Sequence, residues 1–252
     1  MKMVFDDELN IYCGGFYSLK GTYSAAGSYF FKIDPKLEKI EPITFHKFDV
    51  DFLTQNMTEK EKGKIQKKAS KGKNVEPIKY RVKQIILKNN GGVLLVGEQF
   101  YTELVSSTES SAVYTFYYYN DIVAISLSKD NQIEWQKRIP KKQTSKNDGG
   151  RFSSFATIVS HEKTYFVYND HAKNLAYKGT GKIHMFDRGS ESIVALTSID
   201  HQGKQEKEIL FYAKEAGVFV QSDLLEFISE RDMILFGSKK KNYRLAKVSF
   251  KE

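Results

Sequence analysis

Four times along the chain a short apolar run gives way to a polar or glycine-containing turn: LNIYCGGFYS from Leu9, VLLVGEQFYT from Val93, TYFVYNDHAK from Thr164 and VFVQSDLLEF from Val218. Each is followed by further strand-like text, such as GSYFFKID then KLEKIEPITF, or DIVAISLSKD then QIEWQKRIPK. Apolar and polar residues alternating with a period of two mark half-buried strands. Recurrence of the whole pattern marks a repeat whose units bury their apolar faces against one another. In the second repeat YRVKQIILK, GGVLLVGEQFY, NDIVAISLSKD and QIEWQKRIPK read as four strands. The third offers SSFATIVSH, KTYFVYND, GKIHMFD and SIVALTSID, and the fourth KEILFYAKE, GVFVQSD, RDMILFGSKK and NYRLAKVSF. The first has three clear strands, with KMVFDD as a weaker fourth. Gly91-Gly92, Asp130-Asn131 and Asn147 to Gly150 supply tight-turn chemistry between them.

The pattern predicts an all-β chain, β-propeller-like, with about four four-stranded antiparallel blades in a single domain over residues 1–252. The repeats are placed at about 1–48, 80–142, 152–203 and 207–250. Four blades sit at the lower limit of the architecture, so the chain reads either as a small ring closed by a terminal strand or as part of a longer propeller. An incomplete ring leaves open strand edges through which copies associate. A two-layer β-sandwich is the structural alternative.

Residues 49–79 interrupt the alternation. There Thr58 and Glu61 have the spacing of a capping box, which predicts a short helix from Thr58, and Lys67 to Lys73 read as a basic loop. Charge is concentrated in the same place. The chain carries a formal +8, yet Lys60 to Lys88 hold eleven basic residues against Glu61 and Glu76, a local +9 that leaves −1 for the remainder. The expectation is a basic insertion on a nearly neutral body, either solvated or an anionic-partner site built from Lys64, Lys67, Lys68, Lys71 and Lys73. Few aromatics interleave with these lysines, so nucleic acid is not the expected partner.

The stretch DIVAISLSKDNQIEWQKRIP, from Asp121 to Pro140, resembles the strand, turn, strand and Trp unit of the pyrroloquinoline-quinone-type propeller repeat. The chain as a whole resembles uncharacterised bacterial β-propeller-like proteins. Asn131 and Gln132 stand in the neighbourhood where that repeat carries its turn glycine, and Trp135 is the only tryptophan. The resemblance implies an architecture and assigns no quinone site.

Catalytic signatures are scarce. His46, His161, His171, His184 and His201 lack HExxH spacing, and the single Cys13 allows neither a thiolate zinc site nor an intramolecular disulfide. No GxSxG elbow is present, and KGTGK at Lys178 reads as a turn. No cofactor and no metal are expected. Two polar clusters remain. Asn169, Asp170, His171 and Asn174 follow the strand TYFVY, with Glu98 and Asp223 in the corresponding turns of two other repeats. They read either as turn chemistry or as a ligand site at one rim. YTFYYYND, from Tyr114, reads as cross-strand ring packing or as an exposed aromatic face.

Two functions follow. The first is a non-enzymatic binding or scaffold module for a protein, glycan or anionic surface. The alternative is a propeller-type polysaccharide hydrolase or lyase, with Glu98, Asp170 and Asp223 as candidate carboxyl groups. The segment MKMVFDDELN has no apolar signal core, and no run reaches the length of a membrane helix. An exported chain whose leader has been removed and a cytoplasmic chain both stay open, as does oligomerisation through strand edges.

Overall fold

The computed structural model describes residues 1–19, 21, 24–73, 75–76, 79–107, 112–160, 163–229 and 231–250. The chain is mostly strand, arranged in four antiparallel sheets taken in sequence order. The first sheet contains β1 (Lys2–Phe5), β2 (Ile11–Tyr17), β3 (Gly27–Asp34), β4 (Lys39–Ile40) and β5 (Thr44–Lys47). Two helices follow, α1 (Val50–Thr54) and α2 (Glu59–Ala69). The second sheet holds β6 (Tyr80–Leu87), β7 (Val93–Ser106), β8 (Val113–Leu127), β9 (Ile133–Ile139) and β10 (Gln143–Lys146). The third runs β11 (Ala156–Ser160), β12 (Lys163–His171), β13 (Ser192–Ile199) and β14 (Gln205–Tyr212). After α3 (Ala213–Ala216), the fourth comprises β15 (Phe219–Val220), β16 (Glu226–Phe227), β17 (Asp232–Lys239) and β18 (Asn242–Ser249).

The chain divides into two compact units. One is Met1–Phe100 with Asp121–Pro140 and Gly179–Gly181, and the other is Tyr101–Asn120, Lys141–Lys178 and Lys182–Glu252. Within the first unit, Val4, Tyr12, Phe16 and Phe30 of the first sheet pack with Ile85, Val93, Leu95, Val123 and Ile125 of the second. The second sheet's alternate residues Leu94, Val96, Ile122 and Ala124 are buried as well. Both of its faces are therefore covered, which explains why VLLV and DIVAISL read as continuous apolar runs. Within the second unit, Ile158, Val167, Val194 and Leu196 of the third sheet pack against Val220, Met233 and Leu235 of the fourth, with Phe250.

Several strands differ from the sequence reading. The segment KMVFDD does form a strand, β1, hydrogen-bonded to β2. GKIHMFD is irregular except for a bridge from Phe186 to Gln143, and it starts at Gly181, whose φ is +96°. The strand at 205–212, expected to open the fourth repeat, pairs with β13 and completes the third sheet instead. β10 was not anticipated and pairs with Phe116 to Tyr119. In the turn after β8, Asn131 takes φ +59°, the left-handed conformation for which asparagine substitutes for glycine.

Candidate functional site

Local chemistry places α1 and α2 firmly. The carboxylate of Asp49 accepts the Phe52 N–H at 2.6 Å and caps α1, while Phe52 and Leu53 enter the core beside Phe48. At the other end, Arg138 donates to the Phe52 and Leu53 carbonyls at 3.3 and 2.9 Å, joining the Gln55 N–H on the first and satisfying the second, which a helix C-terminus leaves open. The same guanidinium donates to Asp121 at 2.8 Å, and Asn56 donates to that carboxylate at 3.2 Å. Burial of this ion pair demands such extra hydrogen bonds, since desolvation otherwise cancels the Coulomb gain.

α2 starts at the expected capping box, with Thr58 accepting from Glu61 N–H and Glu61 accepting from Thr58 N–H. The helix carries through Lys67 and Lys68, which the sequence reading had assigned to a loop. It closes at Gly72, φ +67°, where Gly72 N–H donates to the Ala69 carbonyl at 2.9 Å and Lys73 N–H to that of Lys68 at 3.2 Å. This is a Schellman end, for which Gly72 is the sequence signal. Ile65 is the buried residue of α2. Lys60, Lys64, Lys67, Lys68 and Lys71 are all exposed. At 100° per residue their spacing puts them within about 100° of one another, in a row about 16 Å long centred about 110° round from Ile65, with Lys68 at its edge nearest that residue. Among the described residues none of these five is paired with a carboxylate, whereas Lys62 contacts Glu59 at 3.1 Å. Lys60 was missed in the sequence, although its i, i+4, i+7, i+8 relation to the other lysines was there to be read. Lys73 is exposed just beyond the helix end.

The polar cluster after TYFVY is built into the fold of the second unit. Asn169 donates to the Phe152 and Val220 carbonyls at 2.8 and 2.6 Å and accepts from Val220 N–H at 3.2 Å, so its amide ties the third sheet to the fourth. Asp170 is fully buried, in an ion pair with Lys207 at 2.5 Å, and accepts from Asn174 at 2.7 Å. Burial alone would depress the Lys207 ammonium, but Tyr168 and Asp170 outweigh it and the group is pushed up to about 12. Asn174 also bridges both backbone groups of His184, each at 2.7 Å. His171 contacts Glu191 at 3.0 Å, and its ring centroid lies 5.0 Å from that of His184. Burial, then the neighbouring His171 and lysines, holds His184 below the usual histidine range.

The other candidates are dispersed. Glu98 is buried on β7 in the first unit, and Asp223 is exposed in a short 3-10 turn of the second. Tyr101 stacks on Tyr118 at 4.5 Å and Lys146 sits 3.4 Å over the Tyr114 ring, so these rings contact side chains of neighbouring strands. Among the described residues no group of three or more His, Cys, Asp or Glu is placed to hold a metal ion, and His161 lies outside those residues. No helix among them is long and apolar enough to cross a membrane. In comparison with known proteins, the chain matches no family model and no curated sequence.

Proposed function

We propose that this protein is a non-enzymatic binding module that engages a linear polyanion through the lysine row of α2. The observation that carries the reading is the row itself: five exposed, uncompensated ammonium groups along one side of a helix that is anchored by Ile65. A fixed row of cations presents its charge without first having to order a loop, so the electrostatic attraction is not spent on conformational entropy. The apolar side of α2 is the docked side. That separates it from interfacial helices, which need their apolar face free to enter lipid.

The succession of four antiparallel sheets, with the first packed on part of the second in one unit and the third packed on the fourth in the other, supports a β-propeller-like body as the carrier of this helix. The likeness of Asp121 to Pro140 to propeller repeats is read in the same sense, as architecture. Asp170, one of the carboxyl groups considered for hydrolysis, is occupied by Lys207 and Asn174, which favours binding over catalysis.

The test is retention on immobilised dextran sulfate. Wild-type protein is expected to bind at low salt and elute as salt rises, and the fivefold variant with Lys60, Lys64, Lys67, Lys68 and Lys71 changed to Ser to flow through with an unchanged circular dichroism spectrum. Equal retention of the two proteins would refute the reading.

A further inference from the structure

The first sheet packs part of one face into the core and leaves the other, more uniformly apolar face open. Val4, Tyr12, Phe16 and Phe30 point into the core of the first unit. The strand registers put Met3, Phe5, Tyr17, Tyr29, Phe31, Ile40 and Phe45 on the opposite face. There Met3, Phe5, Ile40 and Phe45 are 56, 57, 63 and 59 % exposed. The rings form a continuous aromatic layer: Tyr17 meets Phe45 edge-on at 5.3 Å, Tyr29 lies 6.2 Å from Phe45, and Tyr29 stacks on Phe31 at 6.5 Å. Two glycines keep this layer flat. A Cβ on Gly15 would come within 2.8 Å of the Tyr29 ring, and one on Gly27 within 2.6 Å of the Tyr17 ring, so the tyrosines lie down across the backbone where a side chain would lift them.

An apolar patch of this size is among the largest that isolated domains expose, and such patches are often functional. Its chemistry limits what can cover it. The registers place one charged side chain on it, Lys47 at the end of β5, and its hydroxyls are those of the two tyrosines. A glycan would find too few hydrogen-bonding partners and would lose those it has with water. A flat, apolar, uncharged partner is required, and each copy of this chain carries one.

We propose that two copies of the protein associate face to face through this open side of the first sheet. Like faces meeting about a two-fold axis close the contact after two copies, which is the usual symmetry of soluble homodimers. The size of the face sets the strength. Four strand widths of about 4.8 Å, with four residues in β1, seven in β2, eight in β3 and six in β4 and β5 together at about 3.3 Å each, give roughly 400 Å² on each copy. Together with its rim, the contact buries about 800 to 1,000 Å², at the weak end of specific interfaces, so a concentration-dependent dimer is expected.

Sedimentation equilibrium of the full chain between roughly 1 and 100 µM tests this. The wild type is expected to move from monomer to dimer across that range. Phe45→Lys, and separately Phe5→Lys, should remain monomeric at the highest concentration with unchanged circular dichroism, because both positions are already more than half exposed, and Phe5→Lys should also keep the wild-type melting temperature. Leu245→Lys, at a position 72 % exposed on the fourth sheet, should dimerise like the wild type. A wild type that is monomeric throughout, species that grow beyond the dimer, dimerisation that survives Phe45→Lys, or loss of dimer in Leu245→Lys would each overturn the proposal.

Discussion

Asp170 and Lys207 set the chemistry of the second unit's interior. A buried carboxylate is tolerated only with a partner, and Lys207 supplies the charge while Asn174 supplies a further hydrogen bond. Removing the cation by Lys207→Met leaves Asp170 uncompensated and should cost about 3 to 5 kcal/mol, measured by urea unfolding. A loss below about 1 kcal/mol would mean that the pair is solvated. The raised Lys207 also fixes a pH dependence. Its folded value of about 12 exceeds the ordinary 10.5, so its contribution is complete below about pH 10.5 and lost as pH climbs to about 12. Burial raises the Tyr168 phenol too, and this acts in the same direction. Melting temperature should therefore fall over that alkaline interval, and the Lys207→Met variant should lose part of the slope. Asn169, Asp170 and Asn174 were legible in the sequence as a cluster, but their role was not. The letters give the hydrogen-bonding groups, and only the fold shows that Val220, Phe152, His184 and Lys207 come to meet them.

At the scale of single elements, α2 was the most legible part of the chain and α1 the least. The capping box is a local exchange of two hydrogen bonds, so Thr58 and Glu61 declare it without tertiary context. α1 is five residues long and cannot stand alone, and it depends on Arg138, some 85 residues away, for its Leu53 carbonyl. Arg138→Ala would strand Asp121 in the interior along with that carbonyl. We expect a loss of about 3 to 5 kcal/mol, read by chemical denaturation, and weaker polyanion retention as the α1–α2 segment loosens. The opposite sign is expected at Gly63. It lies inside α2 and a Cβ there would touch nothing within 4 Å, so Gly63→Ala should stabilise by about 0.5 to 1 kcal/mol. No gain in melting temperature would indicate that α2 unfolds apart from the main transition. Strand assignment failed where pairing is non-local. β14 has the same alternating text in either sheet, and its partner is decided by β13 and the bulge at Val194/Ala195, which no residue of β14 announces.

For the whole molecule, the sequence placed most strands and their antiparallel order, because turn residues and period-two alternation act locally. The open face of the first sheet was less visible. Its apolar residues alternate with a mixed set, Val4, Tyr12, Phe16 and Phe30 among Lys2, Ser28, Lys32, Thr44 and His46, so alternation alone did not say which side faces the core. The charge asymmetry was legible as a sum, +9 against −1, whereas the order within it needed the helix. The lysines become one row only because α2 runs unbroken to Ala69, with Lys71 following in its closing turn. The account therefore rests on polyanion binding by a pre-formed cationic row, and the most direct measurement is a fluorescence titration with dextran sulfate at several salt concentrations. Counterion release predicts that log K falls linearly with log salt, with a slope of roughly −3 to −5 for about five contacts, and that the fivefold Lys→Ser variant loses both affinity and slope. A slope near zero, or one that persists in the variant, would contradict the assignment of α2 as the binding site.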